Sequence, residues 1–74
     1  MIKRVIFVEK YNRRNLERAT AIISIMNQMK IRNKMVISDK ITLTGVFKDR
    51  DQYETFKVIM AMIGVGIHHE LSRK

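Results

Sequence analysis

Residues 2–9 form a β-branched and aromatic run in which polar and apolar side chains do not alternate, since Val5, Ile6, Phe7 and Val8 follow one another before Glu9. Such a run predicts a central strand covered on both sides. Beyond it, Leu16, Ala19, Ile23, Met26 and Lys30 recur at three- and four-residue spacing, with Ile22, Ile25 and Met29 widening the apolar stripe. The spacing predicts an amphipathic helix of about five turns, capped by Asn12 or Asn15 and ending near Ile31 to Asn33. Two shorter strands follow, Met35 to Ser38 and Ile41 to Phe47, joined by a tight hairpin at Asp39-Lys40. In the second of them Ile41, Leu43 and Phe47 share one face with Gly45, while Thr42, Thr44 and Val46 line the other. The first face is core and the second is only partly polar.

A second helix is predicted to open at Asp49 to Asp51, where Asp51 and Glu54 have the spacing of a capping box. Its apolar positions are Tyr53, Phe56, Ile59, Met60 and Ile63, with Val58 and Met62 adding breadth, and Gly64 is a natural stop. Val65 to His69 reads as a short last strand, and Glu70 to Lys74 as a frayed tail. The order strand, helix, strand, strand, helix, strand predicts a single α+β domain of the ferredoxin-like βαββαβ kind. In it both helices lie on one face of a four-stranded antiparallel sheet. Its weakest element is the last strand, without which a three-stranded βαββα domain remains.

The other face of that sheet lies beyond the reach of the helices. Val5 and Phe7, or else Ile6 and Val8, fall there beside Thr42, Thr44 and Val46. The simplest cover for such a face is a second copy of the chain, so Val5, Phe7, Thr42, Thr44 and Val46 are the candidate dimer or partner face of a homodimer.

Charge changes this picture. The chain of 74 residues carries 15 Lys plus Arg against 7 Asp plus Glu, a formal net charge of +8. Seven of the eight units fall in residues 1–34, where Lys3, Arg4, Lys10, Arg13, Arg14, Arg18, Lys30, Arg32 and Lys34 face only Glu9 and Glu17. That asymmetry suggests an electropositive face for an anionic ligand, an acidic protein or nucleic acid. With 46% hydrophobic residues the chain is too apolar for a disordered basic tail. It has no Cys, which removes disulfides and thiolate chemistry and suits a reducing compartment. Neither the run before Glu9 nor the stretch from Val58 to Ile67 is long enough for a signal core or a membrane span. A cytoplasmic protein that does not enter a membrane is the expectation.

Catalytic constellations are nearly absent. His68 and His69 are adjacent, so on a strand they point to opposite faces and cannot chelate one metal together. Asp49 and Asp51 are explained by helix capping, and Gly64 and Gly66 follow a helix where a dinucleotide-binding loop must precede one. No catalytic residue, metal or cofactor is expected, and the chain reads as a non-enzyme. One place breaks a local rule: Arg13 and Arg14 stand in the first helical turn, where the dipole disfavours positive charge. Together with Lys10 and Arg18 they form the candidate ligand- or partner-binding cluster, set to hold a carboxylate, a phosphate or an acidic side chain.

The run Val8-Glu9-Lys10-Tyr11-Asn12-Arg13-Arg14-Asn15-Leu16-Glu17-Arg18-Ala19, followed by an Ile-rich helix, resembles the opening of ACT-like domains of the acetolactate synthase small-subunit type. Ile41-Thr42-Leu43-Thr44, the second capped helix and Ile63-Gly64-Val65-Gly66-Ile67 are compatible with the same element order. The resemblance implies a non-catalytic regulatory module that pairs side by side, binds a small effector near the first strand-to-helix loop, here Glu9 to Leu16, and tunes a partner enzyme. Two other readings use the same basic half: a nucleic-acid-binding protein, and a small inhibitor of a host enzyme of the kind mobile elements encode.

Overall fold

The computed structural model describes residues 1–64. Its elements run β1 (Ile2–Lys10), α1 (Arg13–Gln28), β2 (Arg32–Ile37), β3 (Lys40–Phe47) and α2 (Arg50–Met62). The strands form one antiparallel sheet in the order β1-β3-β2. The fold is α+β, with both helices on one face of the sheet. The expected last strand, Val65 to His69, and the tail Glu70 to Lys74 lie outside the described residues.

β3 is the central strand and alternates as its sequence predicts. Ile41, Leu43 and Phe47 are fully buried beneath the helices, while Thr42, Thr44 and Val46 on the other side are half-buried. α1 contributes Ala19, Ile22 and Met26 to the core, and α2 contributes Phe56 and Met60. The Phe47 ring ties the layers together, 5.0 Å from the Tyr53 ring and 5.4 Å from the Phe56 ring between centroids. Gly45 lets α1 approach β3 closely. A Cβ there would lie 2.5 Å from the terminal methyl of Met26 and 3.1 Å from the Phe47 ring.

Among the described residues β1 pairs with β3 alone, and the neighbour that its predicted central position requires falls on residues outside them. Its unbroken apolar run has a different cause from the expected one. Val5 lies opposite Thr44 and Phe7 opposite Leu43, which leaves Ile6 as an extra, bulged residue. A bulge of this kind turns two consecutive side chains to the same side of the sheet. Ile6 and Phe7 therefore both enter the helix-covered core, at 0% and 1% exposure. Phe7 must be removed from the candidate dimer face, and Val8, opposite Thr42, joins Val5 there instead.

The end of α1, the start of β2 and the capping residue of α2 differ from the expectation for local reasons. α1 stops at Gln28 because Lys30 adopts a left-handed conformation (φ 61°). The Ile31 N–H then donates to the Met26 carbonyl (2.8 Å) and the Lys30 N–H to that of Asn27 (3.1 Å). This is the Schellman arrangement, with Lys where Gly is usual. The chain leaves it already extended, so β2 starts at Arg32 and not at Met35. α2 is capped by Asp49, whose carboxylate accepts from the Gln52 N–H at 2.9 Å, two residues earlier than the Asp51–Glu54 box predicted. Asp51 stands in the first turn, where negative charge suits the dipole. Asn12, one of the two predicted caps, accepts from the Asn15 N–H at 2.8 Å. Gly64 (φ 77°) follows the C-cap Ile63 as a helix stop. On α2, Val58 and Met62 face solvent and do not widen the buried stripe.

Candidate functional site

Cross-strand partners point to the same side of a sheet, so the register assigns every open-face position. Three rows cross the strands: Lys3–Val46–Arg32, Val5–Thr44–Lys34 and Val8–Thr42–Val36, with the pair Lys10–Lys40 at the hairpin end. Lys3, Lys10, Arg32, Lys34 and Lys40 are therefore cationic positions on this face, and no position in these rows is acidic. They surround a centre of half-buried Val5, Val8, Thr42, Thr44 and Val46. Among the described residues, no element packs over this side.

Acidic residues lie elsewhere. Glu17 is on α1, Asp49 caps α2, Asp51 and Glu54 lie within α2, Asp39 forms the hairpin turn, and Glu9 shares the helix-side row of Ile41. Among the described residues, the ion pairs are Arg13–Glu17 (3.6 Å) and Lys57–Glu54 (3.3 Å), both within helices. Among the described residues the acidic side chains thus all lie off the open face, whose five cations have no acidic neighbour in their rows.

Two features frame the ends of the open face. At the hairpin end, the Tyr11 N–H donates to the Asp39 carbonyl (3.0 Å), which fixes the exit of β1 against the β2–β3 turn. Tyr11 is half exposed beside the Lys10–Lys40 pair. At the other end, Met1, Lys30, Arg32, Val46, Phe47, Lys48 and Gln52 line a mostly apolar cleft of about 210 Å³, which the cations border. The Gln52 side chain is held there, accepting from the Lys48 N–H (2.7 Å) and donating to the Met29 carbonyl (3.2 Å). Arg32 and Val46 belong to both cleft and face, so the two are continuous.

The cluster expected around the start of α1 is dispersed. Lys10 takes its place in the open-face rows. Arg13 pairs with Glu17, and Arg14 is exposed in the first turn. Arg18 turns toward the sheet, its guanidinium carbon 5.4 Å from the centre of the Phe7 ring, and it donates to the Asn15 side chain at 3.4 Å. Lys10, Arg13 and Arg18 are thus directed to three different places, and the Asn12 side chain already satisfies a first-turn N–H. Lys3, Arg32 and Lys34 belong to the predicted electropositive half, but only the register joins them with Lys40 on one side of the sheet. The alternation Arg32, Lys34, Val36 carries the signal, and a β2 starting at Met35 conceals it.

Among the described residues, no three His, Cys, Asp or Glu side chains are grouped to hold a metal ion. No helix among them is long and apolar enough to cross a membrane. What fold and surface together define is a small α+β domain with one face of its sheet left open and basic. No family model, curated protein or solved structure matches the chain.

Proposed function

We propose that this chain is a small non-catalytic interaction domain that engages an anionic partner through the open face of its sheet. One observation carries this reading: Lys3, Lys10, Arg32, Lys34 and Lys40 share that face with no acidic position among them. Such a surface raises the local concentration of anions and speeds their encounter. The reading keeps the basic first half as the binding region and moves its centre from the start of α1 to the sheet. A regulatory role of the ACT-like kind, exerted on an acidic partner protein, is one form the function takes. A second copy stacked face to face is a weaker occupant, because both surfaces are cationic and like charges brought together across an interface oppose pairing. For the fold, we propose that Val65 to His69 completes a ferredoxin-like βαββαβ domain as a fourth strand beside β1. In support, the β1-β3-β2 order leaves the outer edge of β1 unpaired among the described residues.

Backbone amide shifts in a titration with inorganic polyphosphate at low salt test the surface assignment. Perturbations are expected at Lys3–Lys10, Arg32–Ile37 and Lys40–Val46. Shifts confined to Arg13–Arg18 would return the site to the helix start and refute the reading.

A further inference from the structure

We infer that the anionic partner of the open face is a single-stranded nucleic acid, its backbone running from the Lys10–Lys40 corner to the cleft at Lys30, Arg32 and Lys48. This rests on the reading above and narrows it to one class of polymer.

The first support is a local rule broken at one end. Lys10 and Lys40 are directly opposed across β1 and β3, and like charges in that relation destabilise a sheet. Sequences tend to retain such conflicts where function requires them. A phosphate between the two ammonium groups would remove the repulsion. The second support is that cations also stand at the other end, where Lys30 and Lys48 border the cleft beside Arg32.

Between these ends the surface changes character. Half-buried Val5, Val8 and Val46 with Thr42 and Thr44 occupy the middle, and cations flank them. That alternation fits a polymer that itself alternates anionic phosphates with flat, largely apolar bases. A run of carboxylates alone, as in poly-glutamate, supplies the charge but no flat apolar group between its charges. A duplex hides its bases in grooves that admit a helix or a two-stranded ribbon, so a three-stranded face meets only its backbone. Among the described residues the face carries no aromatic side chain, since Tyr11 is one step past Lys10 on the ladder, where side chains point to the other side. Binding is therefore expected to be tolerant of sequence.

Fluorescence anisotropy distinguishes the occupants, using a labelled 12-nucleotide RNA, the same sequence as single-stranded DNA, the corresponding DNA duplex and a 12-residue poly-glutamate peptide. One or both single strands are expected to bind more tightly than the duplex and the peptide. If about five phosphates are neutralised, the logarithm of affinity falls with the logarithm of salt with a slope of about −3.5. The Lys10→Thr/Lys40→Thr variant should lose about tenfold in affinity and about 1.4 of that slope. Arg13→Ala/Arg14→Ala should change affinity less than about twofold, while thermal melting confirms that both variants fold. Tighter binding of the peptide or the duplex overturns the inference and leaves an anionic partner in place. Unchanged binding by the double-lysine variant overturns the assigned path. No binding by any probe at low salt removes both this inference and the broader reading. A wild-type dimer, seen by light scattering and dissolved by Val8→Asp, would make a second copy the occupant.

Discussion

The two faces of the sheet are made by the same strands, one residue out of phase, yet they follow opposite rules. On the helix side Ile41, Leu43 and Phe47 are fully buried, and a Cβ at Gly45 would meet the end of Met26 and the Phe47 ring. On the open side their neighbours Thr42, Thr44 and Val46 keep part of their surface in water, and cations stand at both ends. Apolar burial supplies the driving force on the first face, and close packing makes each atom there consequential. The second face contributes little to that core. Its residue choices are free to serve a partner, which is why uncompensated charge can accumulate on it.

The largest test of this contrast uses adjacent residues. Phe47→Ala should cost about 3–5 kcal/mol, because its ring fills the space between β3, Tyr53 and Phe56. A short domain has little stability to lose, so this variant should be largely unfolded by circular dichroism at 25 °C. Val46→Ala, one residue away on the open face, should cost only about 0.8 kcal/mol in urea unfolding, half the value for full burial of the lost groups. Equal losses would break the contrast. Next in size, Gly45→Ala should cost about 1–3 kcal/mol, since the new methyl meets the end of Met26 and the edge of Phe47. Met26 is flexible at its end, which favours the lower part of that range. A stabilised Gly45→Ala variant would show that α1 is not held as closely as described. The smallest effect belongs to the open face. Lys40→Thr should raise stability by about 0.2–1 kcal/mol in low salt by removing the repulsion with Lys10. Because that repulsion is screened, the gain should shrink in 0.5 M salt. A gain independent of salt would instead reflect the β-propensity of Thr.

These residues also mark how far the chain could be read before it was folded. The alternation from Ile41 to Phe47 carries its own period, so the two faces of β3 were legible at once. Phe7 was not, because a bulge at Ile6 depends on how β3 aligns with β1, a relation between segments far apart in sequence. The Schellman turn at Lys30 was concealed for a different reason. A left-handed residue is usually announced by Gly, and here a Lys takes that conformation while the next residue, Ile31, is buried in the core. Moving the helix end moved the start of β2, and with it the membership of Arg32 and Lys34 in the basic face.

The sequence by itself determined the α+β composition, the element order through α2, the core face of β3 and the concentration of positive charge in the first half. Each is a local or additive property, set by periodicity, capping chemistry or a count. Tertiary structure alone decided which side of the sheet each charge occupies. Strand pairing places Lys3, Lys10, Arg32, Lys34 and Lys40 on one surface although they are spread over most of the first 40 residues. The physical reason is that a side chain's face is fixed by register, and a single bulged residue, Ile6, reverses it for everything beyond.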